Sequence, residues 1–558
     1  MTASPQRADR GSIIDRLRGE TFDLAIIGGG ITGAWIARDA VLRGLSVALV
    51  EKGDFASGTS SRSARFVHGG LRYLRHRHVG LVREGLRERG LLLRLAPHLV
   101  RPFPFVLPVY EGDRTPRFLL RIGLTGYDLL AGTMGLGRHR SLSKQQLMKE
   151  VPALASTDLR GGFSFFDAIT NDSRLTLSVM LSAIERGAAA ANYVEAVSWE
   201  KTGGRVTAVN CRDSLAGDEF TVRARVVIGA AGPWTDDLRA LGGGSAVLRP
   251  TKGIHIVVPR DRLHTDSIVT FFWEDRPLYA VPAGNYTYVG ATDTDWSGDP
   301  DGATAAADDV SYTIDAVNAN FETKLTAADV TATWAGVRPL IAEEGAPSPS
   351  DVARDYEIFD GPAGVYTICG GKLTSARSMA EDMLDRVIEK EVEAFATKPG
   401  RCRTRRAPLP GAVADFARYR EQAASDLVQG WDLTATSAKH LVDTFGARHT
   451  RVLGHAARDA GLLAHVVGGS DELLAQVAYA ASDEMAVTLE DVMRRRSDLM
   501  LFGPPGDVSA AASVATVLAS SLGWDDTEKK RQIAAHDDAV SRMMSFARPV
   551  RETALRDS

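Results

Sequence analysis

The stretch Asp23-Leu24-Ala25-Ile26-Ile27, followed without a break by Gly28-Gly29-Gly30-Ile31-Thr32-Gly33, decides the fold of this 558-residue chain. The apolar run reads as a short buried strand. The glycines after it open a helical stretch to Arg43, which Gly44 ends, and Leu45 to Val50 reads as a second parallel strand closed by Glu51. Together they make a βαβ unit. Gly28 permits its tight turn, Gly30 lets backbone N–H groups approach a pyrophosphate at the helix N terminus, and Gly33 lets the helix pack closely on the strand. Gly29 and Thr32 belong to the same cradle. Glu51, roughly 20 residues after Gly30, is placed to accept hydrogen bonds from ribose hydroxyls. A dinucleotide is expected here.

Two distant segments favour FAD over a nicotinamide cofactor. Val226-Val227-Ile228-Gly229-Ala230-Ala231-Gly232 is a buried strand ending in small residues, which lets Ala231 and Gly232 lie against the cofactor. Gly370-Gly371 reads as the start of a helix whose N–H groups and dipole favour negative charge on a reduced flavin. The cofactor domain is therefore assembled from separated pieces of chain. Between them, Ile254 to Val258, Ile268 to Trp273, Leu278 to Val281 and Tyr286 to Gly290 read as strands of an antiparallel sheet. Leu181 to Asn192 reads as the end of a helix begun near Ser173.

The fold class is α/β: a composite Rossmann-like FAD-binding domain with an inserted antiparallel-sheet substrate domain and a C-terminal all-helical domain. The expected boundaries are 20–95, 161–240 and 351–396 for the FAD-binding segments and 96–160 and 241–350 for the substrate domain. A linker at 397–411 and helices at 412–545 follow.

Composition removes other classes. Hydrophobic residues at 44% and charged residues at 24% are a globular mix, which excludes a disordered chain. Glycine, at 53 residues, is above the usual share, so many positions need positive φ or close backbone approach. A net charge of −4 argues against a surface built for nucleic acid. Cys211, Cys369 and Cys402 are too scattered for a disulfide framework or a metal site. The first twenty residues have no apolar core and carry Asp9, Asp15 and Glu20, so neither a secretory signal nor a transit peptide is expected. The Ser- and Thr-containing run Val508 to Trp524 reads as a soluble helix.

The loop from Thr59-Ser60-Ser61-Arg62-Ser63 to His68-Gly69-Gly70-Leu71-Arg72-Tyr73-Leu74 resembles the signature of FAD-dependent glycerol-3-phosphate dehydrogenases, quinone-linked enzymes of aerobic metabolism. Lys252-Gly253-Ile254-His255, Gly290-Ala291-Thr292-Asp293, Gly336-Val337-Arg338-Pro339-Leu340 and Gly370-Gly371-Lys372-Leu373-Thr374 match the same family, in family order. Arg65, where lysine is common, Trp35 and Ser375 are departures, and Trp35 must face away from the pyrophosphate if FAD is to bind normally.

The resemblance implies oxidation of sn-glycerol 3-phosphate to dihydroxyacetone phosphate, with FAD reduced and electrons passed to a quinone. It assigns Arg72 and Tyr73 to the substrate phosphate, His255 to the base, and Arg338 and Lys372 to substrate binding and stabilisation of developing charge. Thr59, Ser60, Ser61, Ser63, His68, Gly69, Gly70, Leu71, Gly371, Lys372, Leu373 and Thr374 join the expected cofactor site.

From Arg62 to Arg121 there are 13 arginines against 4 acids. Part of this excess belongs to the substrate pocket. Joined to the apolar stretch Arg117 to Leu130, the rest suggests an anionic membrane surface, hence a cytoplasmic protein peripheral to the inner face of the cell membrane. The reading admits a homodimer. The competing functions are a glycerol-3-phosphate oxidase passing electrons to oxygen, an arginine-rich RNA-binding flavoprotein, and an amine or amino-acid oxidase of the same fold.

Overall fold

Thr21–Ile27 is buried on both faces beyond its first residue, so it fits only the middle of a covered sheet. The computed structural model describes residues 10–75, 78–274, 276–342, 355–503 and 508–547, and places this strand between Val47–Glu51 and Asp218–Gly229, parallel to both. Ala189–Asn192 and Val365–Gly370 extend the sheet in parallel, and Tyr356–Asp360 closes one edge antiparallel. Its strands come from widely separated segments, as a composite cofactor domain requires. Helix Ile31–Leu42 covers one face, packed against helices Asp172–Ile184 and Ala376–Glu391. Trp35 is buried in that core beneath the Arg38 guanidinium.

Two local expectations change. The helix of residues 172–184 ends at Ile184, and Gly187, at φ +102°, turns the chain into strand Ala189–Asn192. The alanines of that strand have the highest helix propensity, but the advantage is below about 1 kcal/mol per residue and yields to burial beside Val47–Glu51. Gly370 and Gly371, at φ +83° and +76°, do not begin a helix. Gly370 ends strand Val365–Gly370 and Gly371 leads out of it into a turn closed by Ser375 N–H to Lys372 O at 3.2 Å, and the helix starts later, at Ala376.

The second sheet is antiparallel apart from the pairing of Ile268–Trp273 with Arg101–Tyr110. Leu248–Pro259 lies between Tyr286–Gly290 and Ala332–Ile341. Leu159–Ile169 pairs with Arg101–Tyr110 in this same sheet, so the chain returns to the cofactor side after residue 169 rather than at 161. The segment 397–411 is strapped down: Gly400 N–H donates to Arg43 O and Leu409 N–H to Leu95 O, both at 2.8 Å. The expectation for the first twenty residues falls partly outside the described residues, as does the side chain of Arg72.

Beyond the strap the described chain is helical, from Phe416–Trp431 to Asp526–Met543. It docks through buried charge: Asp54 accepts from Arg495 Nε at 2.5 Å and from both terminal nitrogens of Arg496. His98 is buried where the strap meets these helices, its ring near Phe416. Burial, with Arg174 and Arg448 nearby, lowers its pKa to about 3.

Between pH 6.5 and 3 the unfolded chain binds a proton at His98 that the folded chain refuses, so stability must fall as pH falls through this window. The loss from this group is about 2 kcal/mol at pH 5. Thermal unfolding followed from pH 7 to pH 5 should show the midpoint falling, with a shallower fall in His98→Phe. Identical slopes would remove His98 as a source of the acid sensitivity.

Candidate active site

The first strand, the helix after it and the Gly370-Gly371 turn converge on a cleft of about 500 Å³. Gly28 lines it at φ +112°, where a Cβ would fall on the Ala230 carbonyl, and a Cβ on Gly33 would fall on the Gly28 carbonyl oxygen. The two glycines let the helix N terminus sit directly on the strand end. Gly30 and Thr32 line the cleft, and Ile31 N–H donates to Ser60 Oγ at 2.9 Å, which draws the 59–63 loop onto the helix start. Glu51 accepts from Gly29 N–H at 2.6 Å and Gly53 N–H at 2.9 Å. Burial raises its pKa against these two bonds, and each oxygen keeps a further lone pair for a ribose hydroxyl. Trp35 is absent from the lining, so its bulk faces the core and not the cradle.

The opposite wall is formed by Ala231, Gly232, Gly371, Lys372 and Leu373, with Thr59, Ser60 and Ser63 between. Thr59 Oγ1 donates to Val337 O at 2.7 Å, and Ser63 Oγ to Asp172 at 2.7 Å, while Ser61 is buried behind them. A cleft lined by Gly28, Gly30, Gly232 and Gly371, by the start of helix Ile31–Leu42 and by the Glu51 carboxylate fits FAD.

The His68-Gly69-Gly70 turn is held from several sides. His68 N–H donates to Thr374 Oγ1 at 3.1 Å and Gly69 N–H to Asp167 at 3.3 Å. Gly70, at φ +79°, packs against the ring of Tyr73, and Leu71 against a satellite apolar cluster. Asp167 also accepts from Arg89 at 2.9 Å and from Tyr127 OH at 2.7 Å, all three sealed from solvent. Sequence reading missed this triad. Its one signal is an acid set between Phe166 and Ala168 near the end of strand Leu159–Ile169.

The candidate reacting residues fall into two groups. Lys372, on the cleft wall, holds its Nζ 3.8 Å over the Tyr73 ring. On the second sheet, Arg338 donates to Asp293 at 2.9 Å and to Thr292 O at 3.1 Å, and Pro339 beside it lines the cleft. His255 lies on the same sheet face as Arg338, stacked on Trp334 at 4.5 Å. Glycine is needed at 253, under the Arg338 guanidinium, and at 290, under the His255 ring. His255 is 3% exposed, and its ring nitrogens have no hydrogen-bond partner among the described residues. Burial first, then Arg338 and Arg65, lower its pKa to about 3, so the ring is neutral with an unused lone pair.

Residues 23–386 match the model of the FAD dependent oxidoreductases, and residues 402–529 that of the C-terminal domain of alpha-glycerophosphate oxidase. The chain belongs to the family of FAD-dependent glycerol-3-phosphate dehydrogenases. It is 37% identical to "Glycerol-3-phosphate dehydrogenase 2" of Mycobacterium bovis over 97% of this chain and 92% of that one. It is 35% identical to "Aerobic glycerol-3-phosphate dehydrogenase" of Staphylococcus aureus, over 96% and 97%. The crystal structure of the glycerol-3-phosphate dehydrogenase from Bacillus halodurans complexed with FAD superposes with a TM-score of 0.80 at 31% identity, over 97% of this chain and 99% of that one. The family and the glycine-lined cleft agree on the cofactor.

Gly33→Ala should lose FAD, because its Cβ would meet backbone and not a movable side chain. Purified variant protein is expected to be colourless with near-normal far-ultraviolet circular dichroism. Full retention of flavin absorbance would show that the helix end does not form the cradle.

Proposed function

We propose that this protein oxidises sn-glycerol 3-phosphate at C2 to dihydroxyacetone phosphate and passes the electrons to a membrane quinone. The observation that supports the first half is a pair of cationic groups, Lys372 on the cleft wall over Tyr73 and Arg338 on the sheet face of His255, next to Pro339, which lines the cleft. When bound, FAD supplies the acceptor for the hydride that leaves C2. Neutral His255 takes the C2 hydroxyl proton through one ring nitrogen. Its low pKa belongs to the site without substrate: a phosphate dianion opposes the field of Arg338 and Arg65 and makes the imidazole a stronger base as it is needed. Arg338 and Lys372 stabilise negative charge developing on the C2 oxygen. Arg72 and the Tyr73 hydroxyl are the proposed donors to the phosphate oxygens.

Glycerol 3-phosphate added without air should bleach the flavin of the holoprotein. His255→Ala should slow the bleaching about 100-fold or more while substrate affinity changes much less. Unaltered bleaching in the variant would remove His255 as the base, and none in the parent protein would remove the substrate assignment.

The quinone half rests on helix Arg117–Ala131. Leu124, Tyr127 and Ala131 are buried, whereas Phe118 is 63%, Ile122 63% and Leu129 76% exposed. The arginine excess contributes less than its count suggests. Arg65 and Arg89 are buried against Asp498 and Asp167, and Arg117 donates to the carbonyls of Arg160 and Leu142. The apolar face is thus the stronger support for an interfacial helix. No helix among the described residues is long and apolar enough to cross a membrane. The variant Phe118→Ser with Ile122→Ser should lose binding to anionic vesicles and turnover with vesicle-borne quinone, and keep turnover with a soluble dye. Undiminished vesicle binding would overturn the assignment of this helix, and peroxide produced at the full rate of turnover would move the acceptor to oxygen.

A further inference from the structure

Strand Phe66–Val67 pairs with Ile169 and Ala168, and its ladder with strand Leu159–Ile169 ends there. A regular continuation would set His68 against the main chain of Asp167. The chain turns away instead, and the Asp167 side chain takes the place of the ladder by accepting from Gly69 N–H at 3.3 Å. The same carboxylate oxygen accepts from Arg89 at 2.9 Å, and the other accepts from Tyr127 OH at 2.7 Å. Asp167, Arg89 and Tyr127 are all buried, and Arg89 is held in turn by the Met134 carbonyl at 3.1 Å. A carboxylate so enclosed cannot exchange its partners for water, so its position follows theirs.

The turn is shaped to this carboxylate. A Cβ on Gly69 would collide with Tyr127 Oη and with Leu86, so glycine is what lets the main chain approach Asp167. On the other side, a Cβ on Gly85 would stand 3.0 Å from the Gly69 carbonyl oxygen. Two further bonds carry the position of the turn onward. His68 N–H donates to Thr374 Oγ1, in the segment of Lys372, and Tyr73 N–H donates to Gly70 O at 2.9 Å at the start of the helical turn Arg72–Arg75. The Tyr73 ring then lies under Lys372 Nζ. Tyr127 itself belongs to helix Arg117–Ala131, which turns Phe118, Ile122 and Leu129 to solvent. One helix therefore presents the exposed apolar face and holds the turn.

We infer that Asp167 is a positioning residue: oriented by Tyr127 and Arg89, its carboxylate fixes the His68-Gly69-Gly70 turn and, on the reading that Arg72 and Tyr73 meet the substrate phosphate, fixes the place where that phosphate is received. Asp167, sealed behind the turn, acts without touching substrate. Its contribution is preorganisation, because a turn held in place before binding spends no binding free energy on being ordered. Loosening it weakens ground state and transition state alike, which raises KM and leaves kcat.

Tyr127→Phe removes one hydroxyl and keeps the ring. In the holoprotein with a soluble dye as acceptor, it should raise the KM for glycerol 3-phosphate about fivefold, as the loss of one hydrogen bond would, with kcat changed less than about twofold. Amide hydrogen exchange over residues 66–71, read by mass spectrometry, should speed up severalfold. Asp167→Asn combined with Arg89→Gln removes both buried charges together and should have the same effects more strongly. The control is Tyr366→Phe, which deletes another tyrosine-to-carboxylate bond, 2.8 Å to Glu391, outside the cleft lining. It should lower the unfolding midpoint and leave both KM and the exchange of 66–71 unchanged. Unchanged exchange in both Tyr127→Phe and the double variant would overturn the tie, and so would an equal rise in KM in Tyr366→Phe. Faster exchange with an unchanged KM would overturn the step from the turn to the phosphate. Failure of the substrate assignment is a separate result: the parent flavin would not bleach with glycerol 3-phosphate, and exchange at Gly69 would still decide whether Asp167 holds the turn.

Discussion

The buried carboxylate of Asp54 is the constraint on which the arrangement of the chain depends. It accepts from Arg495, Arg496 and Asn192, and so joins the C-terminal helices, the end of strand Ala189–Asn192 and the turn after the second strand. The two guanidiniums outweigh its burial and keep it ionised. Leaving such a buried cluster without its acid costs about 3–5 kcal/mol, a large part of a typical net stability. Three residues earlier in the same turn, Glu51 closes the cofactor cleft through the N–H groups of Gly29 and Gly53. A short turn therefore serves the cofactor with one carboxylate and grips the distant helices with the other. Displacement of either end moves the other.

The same coupling runs through the reaction site. Trp334, on which His255 stacks, also meets Phe502 of the C-terminal part, and Phe502 lies under the Arg65 guanidinium. Arg65 in turn pairs with Asp498. The C-terminal helices thus help set the environment that keeps the proposed base neutral, since Arg65 is one of the two cations depressing its pKa. The family's helical extension is part of the electrostatics of the site as well as a neighbouring fold.

Backbone constraints were legible in the sequence because they leave one residue type at fixed spacing. Gly28 and Gly33 can be read without knowing any partner, since any Cβ there meets main chain. Gly253 and Gly290 are similar in kind, but their obstacles include the side chains of Arg338 and His255, which lie far off in sequence, so the motifs were visible and this part of the reason was not. Long-range partnerships were illegible. Nothing near Asp167 in sequence announces Arg89 or Tyr127, and an alanine run shows its helix propensity rather than the strand beside which it is buried. The Lys372–Ser375 turn was hidden for the opposite reason, because a glycine pair serves equally well to start a helix or to delay one.

Counting arginines fails for a further physical reason. A local excess of positive charge has the same sum whether it faces solvent or lies inside, yet its consequences differ. Arg338, half-buried, is balanced by Asp293 at 2.9 Å. Arg65 and Arg89 are balanced by Asp498 and Asp167 and serve architecture. Whether an arginine in this protein is already matched by a counter-charge is therefore a property of three-dimensional pairing that no count along the chain contains.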